Sequence, residues 1–132
     1  MAQLRTRSHG TRGAEIASNS LDVTEGNLVV VVDGKVVKAG KTWGIDGIAK
    51  ETKVFDADNT TVAQEKLTFY GLDRNSQFDE IVTNGTITQA NVGDVYNLVA
   101  GGDSVDGATS AIGTQVKLMK VISSTVGRFI VA

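Results

Sequence analysis

The chain offers few residues with which to do chemistry. Its 132 residues contain one histidine, His9, and no cysteine. One copy therefore cannot build a two-histidine metal site or a histidine-based triad, and disulfides, thiolate ligands and cysteine nucleophiles are excluded together. Asp56-Ala57-Asp58-Asn59 opens like a calcium loop, but Thr61 stands where the sixth position needs glycine and Leu67 where the twelfth needs a bidentate glutamate. It reads as a polar connection between strands. Gly101-Gly102-Asp103-Ser104-Val105-Asp106-Gly107 is rich in glycine but acidic and lacks a lysine, the wrong charge for cradling phosphate. It reads as a mobile hairpin tip. Trp43, in Lys41-Thr42-Trp43-Gly44, is the one candidate for a stacking platform, and reads better as a half-buried plug at a sheet edge. No catalytic, cofactor-binding or metal-binding residue emerges, and the expectation is a protein that is not an enzyme and carries no cofactor.

The remaining chemistry is charge. Met1 to Ala14 carries Arg5, Arg7 and Arg12 with no acid and no repeating apolar face, whereas from Glu15 onward there are ten Lys/Arg against fifteen Asp/Glu. A segment of that composition buries too little surface to offset its ordering entropy. The expectation is an extended basic N-terminal arm over residues 1–19, adding little to the core, ahead of a single β-rich domain over 20–132. The acidic body would repel nucleic acid, so Arg5, Arg7, His9 and Arg12 read as contacts to a protein partner. The longest apolar run, Leu28 to Val32, cannot span a bilayer, and no stretch resembles a signal peptide. A soluble protein without a membrane partner is expected.

The body punctuates β-branched runs with Gly, Asn, Asp and Ser. Leu28-Val29-Val30-Val31-Val32, Asp33-Gly34 and Lys35-Val36-Val37-Lys38-Ala39 form a hairpin signature that sets Val31 opposite Val36 and Val30 opposite Val37. Both faces of that hairpin are apolar, so both must be covered, by another sheet or by a neighbouring subunit. Val30, Val31, Val36 and Val37 are thus candidate subunit-interface residues. Ile81-Val82-Thr83, Asn84-Gly85, Thr86-Ile87-Thr88 repeats the signature, with Val82 opposite Ile87. Further strands are expected at Gly47 to Ala49, Lys66 to Tyr70, Val95 to Val99, Val116 to Ile122 and Arg128 to Val131. Thr60 to Leu67 could form a short helical turn. Val92, Val95, Tyr96 and Val99 fall at i, i+3, i+4 and i+7, with Asn91 as N-cap and Gly101 as stop, so Gly93 to Val99 is open to helix or strand. Its β-branched and aromatic residues favour strand. The sum is an all-β protein, a small sandwich or barrel.

The polar arm, the Val-rich hairpin with its Asp-Gly tip, Gly93-Asp94-Val95-Tyr96, Gly101-Gly102, and the block Gln115-Val116-Lys117-Leu118-Met119-Lys120-Val121-Ile122 through Gly127-Arg128-Phe129-Ile130-Val131 together resemble the capsid decoration, or cement, proteins of tailed bacteriophages. The resemblance covers Leu21 to Ala132. It implies a β-tulip or jelly-roll-like fold and a virion structural protein on the capsid exterior, assembled in the host cytoplasm, stabilising contacts between capsomers. It implies the major capsid protein and further copies of itself as partners, a homotrimer before a dimer, and for the arm the part of a strap across a neighbour. The chain departs from many such proteins in having no proline, where ordinary usage of about 5% would place several. A head-fibre or tail-associated β-module that binds a host receptor or glycan is the alternative.

Overall fold

The structure, a computed structural model, describes residues 2–5, 11–16, 23–32, 35–41, 44–52 and 66–132. Eleven strands run through these residues: β1 (Gln3–Leu4), β2 (Thr11–Ile16), β3 (Leu28–Val32), β4 (Lys35–Lys38), β5 (Gly47–Ala49), β6 (Lys66–Gly71), β7 (Phe78–Thr83), β8 (Val95–Leu98), β9 (Val105–Asp106), β10 (Val116–Ser123) and β11 (Val126–Val131). Among the described residues the only helical pieces are 3₁₀ turns at Gln89–Asn91 and Gly107–Thr109. The protein is all-β, a small barrel packed on a sheet.

Five strands close the barrel in the order β2-β4-β3-β5-β6. The β3–β4 hairpin has the register its sequence dictates, Val30 opposite Val37 and Val31 opposite Val36. Beyond it the Asp46 carboxylate accepts the Val31 N–H at 2.8 Å, extending the ladder of β3 where β5 has ended. The other six strands form a sheet in the order β1-β7-β11-β10-β8-β9, in which β9 also pairs with β7. The hydrogen-bonded order therefore returns to β7.

Strand alternation sorts the apolar residues into two cores. Val29, Val36, Ala49, Leu67 and Phe69, with Val23, fill the barrel. Leu28, Val30, Ile45 and Ile48 lie on the opposite face, packed with Phe78, Val82, Tyr96, Leu98, Leu118 and Phe129 of the sheet. Tyr96 meets Phe129 edge to face, ring centroids 6.1 Å apart, a favoured aromatic geometry. Both faces of the Val-rich hairpin are thus covered by the chain itself. Val30 and Val36 are buried, and Val31 and Val37 pack against the barrel interior and the inter-sheet core. Within the single chain the closed barrel takes up one face of these four valines and the sheet the other.

Two further expectations change. The segment read as a separate arm supplies β1 to the sheet and β2 to the barrel, where β2 pairs with β6 and β4. Ala2 is buried in the inter-sheet core. A polar strand needs no apolar face of its own when its backbone fills a gap between two others. The second Asx-Gly turn lacks its return strand. Asn84 takes the left-handed φ of 59° that such a turn asks for, yet Thr86 to Thr88 form no ladder, because β11 holds one edge of β7 and β1 and β9 hold the other. Ile87 instead drops into the core. Within Gly93 to Val99, Val95–Leu98 is strand β8, as its β-branched and aromatic residues favour.

Candidate functional site

The outward face of the six-stranded sheet carries a row of charged and polar side chains. Its central row runs across four strands: Lys120 of β10 opposite Arg128 of β11, Arg128 opposite Asp79 of β7, and Asp79 opposite Gln3 of β1. Asp79, 6% exposed, is shared by two arginines. Arg128 Nε donates to Oδ1 at 2.8 Å and Nη2 to Oδ2 at 3.3 Å, while Arg5 Nε donates to Oδ2 at 2.8 Å. Arg5 Nη2 also reaches Gln3 Oε1 at 2.9 Å. Burial pushes the Asp79 carboxyl up, but the hydrogen bonds and charges of Arg128 and Arg5 outweigh it and hold the group below its ordinary value. Next to it in sequence, Glu80 points inward and is raised by burial, against the Ile81 N–H that it accepts at 2.9 Å.

Two β-bulges in β10 shape the rest of the face. The register against β11 shifts between Leu118 and Lys120 and again between Val121 and Ser123, so Met119 and Ile122 are the inserted residues. Both are large apolar side chains left in solvent, 40% and 44% exposed. Bulges re-aim side chains and break regular pairing. Ile81 of β7, 44% exposed, lies opposite Val126, and a groove of about 280 Å³ is lined by Gln3, Arg5, Asp79, Glu80, Ile81, Ile122 and Val126. Lys117, exposed and opposite Ile130, continues the cationic edge. An apolar centre ringed by charge is the anatomy of a protein–protein contact rather than of a catalytic cleft.

Of the contact residues read from sequence, Arg5 reaches this face, but its guanidinium is committed to Asp79. Arg12 lies in β2, and Arg7 and His9 fall outside the described residues, as do Trp43 and Asp56-Ala57-Asp58-Asn59. The glycine-rich acidic segment is tied into the fold rather than standing free as a hairpin tip. Gly102, at φ 71°, is pressed against the Ala39 carbonyl, Asn27 Nδ2 donates to Asp103 Oδ1 at 3.0 Å, Ser104 and Thr83 hydroxyls meet at 2.8 Å, and Val105-Asp106 is β9. Nothing in the spacing of Lys117, Met119, Lys120 and Ile122 announced a face, because each bulge is a matter of register against β11.

A second concavity, of about 410 Å³, lies where β1 meets the barrel and is lined by Ala2, Leu4, Glu25, Ile48, Ala49 and Tyr70 among others. The Lys50 ammonium sits 5.5 Å from the centroid of the Tyr70 ring, so that ring is no open platform. Among the described residues no three His, Cys, Asp or Glu side chains are grouped to hold a metal ion.

No known protein family matches the chain, and no curated protein does so by sequence. Among solved structures, the pre-mature bacteriophage phi29 gene product 12 superposes with a TM-score of 0.54 over 100% of this chain, at 16% identity. This chain shares its fold with part of a bacteriophage protein. It spans 22% of the length of that chain, and at such identity the likeness is one of fold.

Proposed function

We propose that this chain is a non-enzymatic structural protein of a bacteriophage particle, one that binds the outer surface of the assembled capsid and stabilises contacts between capsomers. The observation that carries the proposal is the end-to-end likeness of its fold to part of a phage protein. The sheet face adds support, since it offers an apolar centre and a charged rim and no constellation of reacting groups. The major capsid protein is the partner, and the site of action is the particle exterior after assembly in the host cytoplasm.

The mechanism needs no unusual bond. A ligand that binds the assembled shell and not its separated subunits stabilises assembly by mass action. An ordinary contact of about 800 Å² per partner suffices, and bridging two capsomers multiplies its effect through effective concentration. The test is to add purified protein to particles prepared without it. Saturable binding to assembled shells and a higher temperature of genome release are expected. Binding to free capsid subunits as strong as to shells, or no binding, overturns the proposal.

One observation favours a second reading. Because the fold occupies 22% of a longer phage chain, it also suits a module of a head fibre or tail-associated assembly that meets a host receptor or glycan. Copy number separates the two: hundreds of chains per particle for a shell-binding protein, tens or fewer for a fibre.

A further inference from the structure

We infer that the outward face of β7, β11 and β10 fits an acidic protein surface with an apolar recess, and that Ile112 enters the recess. The inference rests on the proposed attachment to a capsid shell and names the chemistry of the shell that this face meets.

Charge carries the first half. The face holds Arg5, Lys117, Lys120 and Arg128, and the only outward acid of its three strands is Asp79, which Arg5 and Arg128 already share. These five residues carry a net charge of +3 in a chain whose total is −2, so the face runs against the charge of the rest of the molecule. Lys120 lies directly opposite Arg128, a like-charge cross-strand pair that weakens the sheet by itself. Among the described residues neither Lys117 nor Lys120 has a salt bridge, and carboxylates supplied from outside relieve the repulsion. Met119, Ile122 and Ile81 stand among these cations, 40%, 44% and 44% exposed. They gain nothing from a phosphate or sulfate chain and much from the apolar part of a protein surface. The aromatic rings of these strands, Phe78 and Phe129, are buried, which leaves no platform for a base or a sugar.

The second half rests on a raised turn. Residues 110–114 cross the outward side of β8: Tyr96 and Leu98 are buried, Asn97 between them points outward, and its Oδ1 accepts the Thr114 N–H at 2.8 Å. Gly113 lies so close to the Tyr96 backbone that a Cβ would overlap it. The Thr109 hydroxyl accepts the Asn97 N–H and donates to the Asp106 carbonyl, both at 2.8 Å, and the Ser110 hydroxyl donates to the Asp94 carboxylate at 2.8 Å. Out of this pinned turn Ile112 projects 77% exposed, the highest value for a large apolar residue among those described. It follows Ala111 at a left-handed φ of 64°, a conformation that a residue with a Cβ holds only where its surroundings impose it. A rigid apolar knob has little freedom left to lose on insertion, which is the condition for a dominant contact. Lys117 lies opposite Val95 of the same β8, so knob and cations share one face.

The test is binding of the full chain to assembled shells prepared without it, by co-sedimentation at about 0.05 M and about 0.5 M salt. Beside the wild type stand Lys117→Glu/Lys120→Glu, the milder Lys117→Gln/Lys120→Gln, Ile112→Ser, and Lys41→Glu/Lys50→Glu as a control with the same change in net charge away from the face. All five residues are exposed, and circular dichroism melts check the fold of each variant. At low salt the dissociation constant is expected to rise at least about tenfold in the Glu variant, with an intermediate rise in the Gln variant and most of the salt dependence gone. Ile112→Ser is expected to weaken binding about tenfold at both salt concentrations, and the control to bind as the wild type does. A Glu variant that binds as the wild type does, or a control weakened as much as the Glu variant, overturns the inference. So does unchanged binding by Ile112→Ser beside a failing Glu variant, because the face then reads charge alone, as it would on a polyanion. These outcomes leave the proposed function standing, whereas a wild type that binds no shell overturns that function and the inference with it.

Discussion

Asp79 is the residue on which the outward face turns, because one carboxylate orients two arginines from strands far apart in sequence. Its folded value lies below the ordinary 3.8, so the stabilisation it contributes is complete above that value and is lost as pH falls through the lower, folded one. Asp79→Asn keeps the shape and removes the charge. The variant is expected to melt a few degrees below wild type at about pH 7, with the gap closing as pH falls through and below the ordinary carboxylate range. Calorimetric melts across that range check it, and a gap independent of pH would contradict the role of the charge. Part of this cluster was legible in the sequence. Arg5 stood out as a cation without a local acid, but Asp79 and Arg128 sit in ordinary alternating strands, and only the pairing of β1, β7 and β11 brings the three together.

At the scale of elements, the strands with β-branched runs or an Asx-Gly turn announced themselves, and β3, β4, β5, β6, β8, β10 and β11 lie where the residues place them. The ones that did not are those whose stability comes from partners. β1 and β9 are two residues long, and β2 is polar, glycine-bearing Thr11-Arg12-Gly13-Ala14-Glu15 before Ile16. Their pairing is with strands distant in sequence, a signal that no local pattern contains. Removal of Met1 to Ala14 reads from composition alone as harmless to the body. With β1 on the edge of β7 and β2 closing the barrel between β4 and β6, that truncation is expected to lower the melting temperature by more than about 10 °C or to abolish folding. A truncated chain that melts within a few degrees of the full one would show that neither strand matters to the fold.

The whole molecule is held together where the sheet leans on the barrel, and two devices fix that junction. Gln115 accepts the Leu98 N–H at 2.8 Å and donates to the Gly40 carbonyl at 2.6 Å, so one side chain ties β8 to the chain leaving β4. Beside it Gly102 lets the β8–β9 connection lie against Ala39. A Cβ there would overlap the Ala39 carbonyl oxygen at a backbone angle that L side chains rarely adopt. Gly102→Ala is expected to cost about 2 kcal/mol or more, read as a drop in the denaturant midpoint, whereas alanine at exposed Gly44, where a Cβ meets nothing within 4 Å, leaves the midpoint near wild type. Equal effects at the two glycines would contradict the close approach at the junction.

The proposed function sets this two-part β-body down on a surface through its cationic, apolar-centred sheet face, and a search for it on a particle tests that most directly. Under the proposed function, cryo-electron microscopy of particles from the source of this chain, combined with its copy number by quantitative mass spectrometry, is the measurement. The account predicts density for the barrel and sheet on the outer capsid surface at junctions between capsomers, in hundreds of copies. Density confined to a fibre or the tail in tens of copies or fewer, or absence from the particle, would contradict it.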